Sequence, residues 1–360
     1  MTKIKVAFYS HQIDFAGTWR SHERIADILQ RDPRFKVSIL YADTVEHNRL
    51  QAAKEILLNC NFVQFKRSLQ KTGPNEGWRP LTEDIGRVAK ENDIHILHFA
   101  RSGYYEWPFT SRICPVQVET NIFGYRDTSP YLDGTIFIGR CLMMPENKNS
   151  VLIPNPIPGP STSYEDLKCL RSDLQLSEDM LVFGRIGRPA NFTPISLIAY
   201  KAFIKNYTWR SKYLLLGGCD DTRRCVQQLG LESDVIFLDC TNEDSYIERF
   251  HKTIDVFAHY RSDGEICSTA IAQAMMYGKP VITHIAGKNG QIEWLGTGGF
   301  YAKDSNEYYK AMVALADQDV RRDMSFKAKN FATSNFEQKT IVEKVIEFYL
   351  SVARSKNCEF

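Results

Sequence analysis

Residues 255–284 read DVFAHYRSDGEICSTAIAQAMMYGKPVITH. The stretch falls into three pieces. DVFAHY (255–260) is a short apolar run rich in β-branched and aromatic residues, the pattern of a strand buried on both faces. From Ser268 to Tyr277 small and apolar residues recur at helical spacing, with Ile271, Ala274 and Met275 on one side. Gly278 stops that helix and PVITH (280–284) starts a second strand. Strand, helix and strand in about 30 residues make one crossover of a parallel sheet. Asp263 and Glu265 stand at the turn into the helix. Thr269 and Gln273 are four residues apart and share a helix face. Ser268 is the N-cap, and the free N–H groups of the first turn form an anion site by dipole and by unsatisfied donors. Two readings of Glu265 stand side by side, a cap for the helix start or a ligand for something bound there. Thr269 and Gln273 likewise either line a polar cleft or face solvent.

The same alternation runs through the chain. Strands are expected at 4–10, 36–42, 62–65, 94–100, 116–120, 135–140 and 151–155, with helices near 18–30 and 44–58. IPNPIPGP (153–160) follows, with four prolines that cannot sit in a central strand. It reads as an interdomain linker, with a surface loop inside one domain as the alternative. Beyond it strands are expected at 181–187, 213–218, 235–240, 255–260, 280–284 and 299–302, and helices near 194–207, 220–229, 243–253 and 268–277. Thr193-Pro194 looks like a hydroxyl N-cap followed by a first-turn proline. Two or three further helices fill 304–354. Of these, 336–354 is amphipathic, with apolar residues at 341, 342, 345, 346, 349 and 350. The fold class is α/β, two tandem Rossmann-like doubly wound domains at 1–155 and 156–335, with an interdomain cleft as the expected site.

Composition narrows the function. The chain has 360 residues, 43% hydrophobic and 24% charged, enough for two cores. Net charge is +2, so any anion site is local and nucleic acid is not an expected partner. Nine scattered cysteines without a C-x-x-C pair suggest reduced thiols and a cytoplasmic location. The histidines are not clustered as zinc ligands and there is no convincing D-x-D metal motif, so no metal and no cofactor are expected. The N-terminal MTKIKVAFYSHQ enters a strand directly, without a signal peptide. No apolar stretch approaches the roughly 20 residues of a membrane span, which leaves at most peripheral membrane contact.

Several segments together resemble one family. Glu265 to Val281 looks like the E-(F/I)-G…E-A-M-A-x-G-x-P-V-I signature of retaining glycosyltransferases with the GT-B fold, the family of sucrose synthase and many bacterial mannosyl- and glucosyltransferases. LGLESDVIFLDCTNEDSYIERFHKTIDVFAHYRSDGE (229–265), YLLLGG (213–218), VLIPNPI (151–157) and FGRIGRP (183–189) resemble the family's other blocks in order and spacing over about residues 150–300. The resemblance implies transfer of a sugar from a nucleotide-sugar donor to a glycan, lipid-linked or small-molecule acceptor, with retention and without a metal. It implies a donor site in the second domain. There the helix start at Ser268 and Thr269, with Asp263, Ile266 and Cys267 in the approach, holds the diphosphate. Glu265 binds sugar hydroxyls, Gln273 reaches the ribose, Thr241 lies by the base, and Arg188, with Arg185, neutralises phosphate.

The first domain would bind the acceptor, and the C-terminal helix would cross back onto it. In the loop SHQIDFAGTWR (10–20), Gly17 would approach the diphosphate while Asp14, with His11 and Arg20, would serve the acceptor; a plain strand-to-helix turn is the alternative. Tyr104, Tyr105 and Trp107 offer aromatic faces for a sugar, or packing. The catalytic candidates are Glu265, Asn121 and His98, and His98 is equally readable as a packed residue. Three positions depart from the family. Gln273 stands where a glutamate is usual, no lysine follows Arg188, and Asn121 or Glu119 occupies the place of a usual histidine. A protein that binds nucleotide sugar or glycan without turnover is the alternative function. A dinucleotide dehydrogenase is disfavoured, because no strand is followed by G-x-G-x-x-G.

Overall fold

A computed structural model describes residues 3–10, 13, 17–66, 69–73, 76–80, 82–100, 111–122, 124, 129–144, 149–187, 191–207, 209–241 and 243–358. The chain divides into two compact units, Met1–Pro156 with Gln338–Phe360, and Ile157–Glu337.

The first unit holds β1 (Ile4–Ser10), α1 (Gly17–Leu29), β2 (Phe35–Ala42), α2 (His47–Ile56), β3 (Asn61–Phe65), β4 (Leu69–Gly73), β5 (Glu76–Pro80), α3 (Thr82–Glu91), β6 (Ile96–Ala100), β7 (Val116–Asn121), β8 (Gly134–Phe137) and β9 (Ser150–Leu152). Seven strands form a parallel sheet in the order β3-β2-β1-β6-β7-β8-β9, and β4 and β5 pair separately and antiparallel. Alternate residues of each strand serve opposite faces. Val6, Phe8, Val37 and Ile39 pack in one core, and Ala7, Tyr9, Leu40 and Ala42 in another with Ile85 and Val88 of α3. The first core is completed by α1 and by a long C-terminal helix (Gln338–Ser355), through Ile341, Val342, Val345, Ile346 and Tyr349.

The second unit holds β10 (Leu181–Ile186), α4 (Ile195–Asn206), β11 (Ser211–Leu216), α5 (Asp220–Leu229), β12 (Val235–Leu238), α6 (Asp244–Thr253), β13 (Val256–Ala258), α7 (Thr269–Met276), β14 (Val281–His284), α8 (Gly290–Leu295), β15 (Gly299–Ala302), α9 (Ser305–Ala316) and α10 (Gln318–Phe336); the C-terminal helix is then α11. Its parallel sheet runs β12-β11-β10-β13-β14-β15. Phe183, Tyr213 and Val256 face α4 and α9, while Val182, Leu214 and Phe257 face α7 and α10. Chain direction across the sheet reverses between β10 and β13, and between β1 and β6 in the first unit. These are the switch points beyond whose carboxyl ends an open α/β sheet binds ligands.

α4 is entered through Pro194, whose φ −75° and ψ −4° are already helical, as a first-turn proline requires. α3 and α8 and the β4–β5 pair were not foreseen; α8 has six residues, too few to show a periodicity. No helix among the described residues is long and apolar enough to cross a membrane.

Buried histidines make the fold acid-sensitive. His22 on α1 and His251 on α6 are each 1% exposed, and none of their ring nitrogens has a hydrogen-bond partner. Burial pushes His22 down to about 3, and burial with the charge of Lys279 pushes His251 to about 3. Folded, both are neutral; unfolded, both take a proton near pH 6.5. Their stability contribution is therefore whole above that pH and is lost as pH falls from about 6.5 toward about 3, at about 1.4 kcal/mol per pH unit for each. Urea midpoints of both units are expected to drop between pH 7.5 and 5.5. Midpoints that do not move would contradict the assignment.

Candidate functional site

In the second unit the switch point is flanked by the ends of β10 and β13. β13 runs into His259 and Tyr260, and the main chain of His259 still bonds Ile282 of β14 (N–H to O, 2.8 Å). The chain then turns through Arg261 to Cys267 into α7. Gly264 has φ +68°, and a Cβ there would lie 1.9 Å from the carbonyl oxygen of Ala286. A Cβ on Gly290 would lie 1.9 Å from the oxygen of Ile266. The two loops thus meet backbone to backbone, and only glycine allows it. Gln291, fully buried, ties them together. Its Oε1 accepts from the Glu265 N–H (2.9 Å) and its Nε2 donates to the oxygens of His284 and Ala286 (3.0 Å each). Sequence reasoning missed Gln291; the glycine pair in AGKNGQ (286–291), directly after a strand, was the available signal.

This brace presents Glu265, whose side chain is 14% exposed. Oε2 lies 3.6 Å from His259 Nε2, and Oε1 lies 3.4 Å from Arg261 Nη1. Burial pushes the carboxyl up, but His259 beside it, with Ser268 and Arg261, outweighs burial and holds the group below the ordinary carboxylate range. Arg261 is committed mainly to the exposed Asp263, through Nε to Oδ1 (2.7 Å) and Nη2 to Oδ2 (3.0 Å). That pair holds the Asp263 carboxyl low. His284 is buried and pushed down to about 4 by burial and by His259, so it adds no charge.

At the start of α7, Ser268 is fully buried and its Oγ accepts from the Ile271 N–H at 3.4 Å, as the cap predicts. The first amides of the helix point out of its end. Ile271, Ala274 and Met275 are fully buried, while Thr269 and Gln273 are half-buried on the other face. Ile266 and Cys267 are half-buried in the approach. An ionised carboxylate thus stands beside a helix N-terminus, a pairing that can take a hydroxyl-rich group and an anion next to each other. Among the described residues no three His, Cys, Asp or Glu side chains gather as metal ligands would.

The remaining candidates divide. Thr241 follows β12, and its Oγ1 accepts from the Glu243 N–H (3.0 Å) where α6 begins. Arg185 does not open outward: it is 4% exposed, stacks 3.9 Å over the Tyr260 ring and donates to the Tyr260 carbonyl (3.3 and 3.4 Å). In the first unit, His98 is corrected to a core residue. It is fully buried on β6, with Nδ1 2.5 Å from the Tyr349 hydroxyl of α11 and Nε2 2.8 Å from Thr120 Oγ1. Asn121 is likewise fully buried at the end of β7, its Oδ1 accepting from the Gly124 N–H (2.8 Å). Both lack the exposure a substrate needs. Gly17 opens α1. His11, Asp14, Tyr104, Tyr105, Trp107 and Arg188 lie outside the described residues.

Residues 179–318, which carry this geometry, match the family model described as Glycosyl transferases group 1. The second unit carries a group 1 glycosyltransferase domain. No curated protein sequence matches the chain significantly. Solved structures do. A glycosyltransferase from Rickettsia africae ESF-5 is 12% identical with a TM-score of 0.75, covering 98% of this chain and 99% of that one. Anabaena Alr3699/HepE, solved with UDP and glucose, is 16% identical with a TM-score of 0.69 over 97% and 100% of the two chains. Sucrose-phosphate synthase of Thermosynechococcus elongatus is 15% identical with a TM-score of 0.65 over 98% and 100%. At these identities the likeness concerns the fold, which is GT-B: two Rossmann-like units. The family match itself lies within the second unit, over residues 179–318.

Proposed function

We propose that this glycosyltransferase moves a sugar from a nucleoside-diphosphate donor to an acceptor hydroxyl, with retention at the anomeric carbon and without a metal. The observation that carries the reading is the Glu265 carboxylate, braced through its main chain by Gln291, beside the α7 N-terminus at the switch point of the second unit. The α7 amides, from Ser268 and Thr269, would bind the diphosphate. Glu265 would accept hydrogen bonds from sugar hydroxyls. Gln273 would bind the ribose and Thr241 would lie by the base. Ile266 and Cys267 would pass the diphosphate along their main chain, and Asp263 would hold Arg261 in place. Arg188 would contact phosphate, and Arg185, fixed under the same edge, would add positive potential without contact. HepE, of the same fold, has been solved with UDP and glucose, which supports a nucleotide-sugar donor.

The acceptor, a glycan, a lipid-linked or a small molecule, would meet the first unit through Asp14, Tyr104, Tyr105 and Trp107. The acceptor oxygen would attack the anomeric carbon from the face the diphosphate leaves. The carbon–oxygen bond to phosphate breaks, and the departing diphosphate takes the hydroxyl proton. His98 and Asn121, buried, would support this edge instead of touching substrate. The nine free cysteines suit a reducing compartment, and we place the enzyme in the cytoplasm.

The test is a panel of UDP-, GDP- and ADP-sugars with EDTA present, followed by release of nucleoside diphosphate and by the anomeric configuration of product. One donor is expected to turn over at an undiminished rate in EDTA, with retention. No product from any donor and acceptor would overturn the reading, and loss of activity in EDTA would overturn its metal-free part. Gln273→Glu is expected to keep donor KM or lower it by up to about fivefold, since a charged acceptor strengthens a hydrogen bond by roughly 1 kcal/mol. A large rise in KM would remove Gln273 from the ribose site.

A further inference from the structure

We infer that His259 is a positioning residue for Glu265, holding one carboxylate oxygen so that the other faces the donor sugar. The inference rests on the proposed sugar-binding role of Glu265. His259 is 3% exposed and anchored on all sides. Its N–H bonds the Ile282 oxygen (2.8 Å), its carbonyl accepts from the Tyr308 hydroxyl (3.1 Å), and its Nδ1 lies 2.8 Å from Thr283 Oγ1. It sits at the end of a central strand, whereas Glu265 sits on a turn. Oε2 of Glu265, 3.6 Å from His259 Nε2, is buried and makes no hydrogen bond. A small closure of that gap would satisfy it.

The direction of the hydrogen bonds follows from charge. Next to a carboxylate oxygen, Nε2 serves as a donor, while Nδ1 pairs with the Thr283 hydroxyl (2.8 Å). Arg261, also near Glu265, is shared with Asp263, so it cannot set the orientation of the carboxylate alone. The neighbouring His284 is neutral and does not compete. One oxygen held by a rigid ring leaves the lone pairs of the other for sugar hydroxyls, which is preorganisation of a binding group by a buried neighbour.

Two amide substitutions separate this role from a packing role. In His259→Gln the side-chain amide nitrogen falls near the position of Nε2 and reaches Glu265. In His259→Asn it falls near Nδ1 and reaches only Thr283. These are compared with His259→Ala and Glu265→Gln, using whichever panel donor the wild-type chain turns over, UDP-glucose first, and UDP or the matching diphosphate for binding. His259→Ala is expected to lower kcat about tenfold or more, as misplacement of a binding group does. His259→Gln is expected to restore most of that loss and His259→Asn none, with diphosphate affinity unchanged in all three. Equal activity of the Gln and Asn variants, rescue by Asn alone, or a parallel loss of diphosphate affinity would overturn the inference. Wild-type turnover in Glu265→Gln would instead show that the underlying reading of Glu265 is wrong, and the inference would fall with it.

Discussion

Glu265→Gln is expected to lower donor turnover by about 10- to 100-fold while leaving the melting temperature close to that of the wild type. The size follows from the loss of a charged acceptor, whose hydrogen bonds are worth about 1.5 to 3 kcal/mol, or one to two decades in rate if they form in the transition state. Stability should change little because Glu265 is held through its main chain: the bond from its N–H to Gln291 Oε1 (2.9 Å) does not depend on the carboxylate. The side chain accepts one long hydrogen bond from Arg261 Nη1 (3.4 Å) and lies 3.6 Å from His259 Nε2, with Ser268 also beside it. Steady-state rates and a thermal melt on the same preparation check both halves. Near-wild-type turnover would move the sugar site elsewhere. A large loss of stability would make Glu265 a structural residue.

Gly264→Ala should produce the second large effect, this time on stability. At φ +68° an alanine is strained by about 1–2 kcal/mol. Its Cβ would also stand 1.9 Å from the Ala286 carbonyl oxygen, a backbone atom that cannot rotate away, so the loops must part. Together these should cost the second unit about 2–4 kcal/mol and lower its melting temperature by about 5–15 °C. The parting would also pull the Glu265 N–H from Gln291, so turnover should fall with stability. Calorimetry of the variant decides it. A melting temperature within about 2 °C of the wild type would mean that the two loops do not meet as described.

The alternation of apolar runs with helical patterns made both sheets legible, because strands of a parallel sheet are apolar on both faces and short. Ser268 was legible as a cap because its role is local: one side chain and an amide three residues on. What escaped depends on contacts across sequence. Gln291 looks like any surface glutamine until its amide is seen between Glu265, His284 and Ala286. Arg185 could not be oriented, since the stacking surface that holds it, Tyr260, comes 75 residues later. His98 looked like a strand-end base, and only the arrival of Tyr349 from the C-terminal helix shows that its ring is enclosed.

The central claim is that the α7 start, with Glu265 beside it, is the donor site. A crystal structure with UDP, or with GDP if UDP does not bind, tests it most directly. The account predicts the diphosphate against the main-chain N–H groups at Ser268 and Thr269, the ribose toward Gln273, and the terminal phosphate on the side of Glu265 where a sugar would continue. A nucleotide bound firmly elsewhere, with the start of α7 empty, would contradict it.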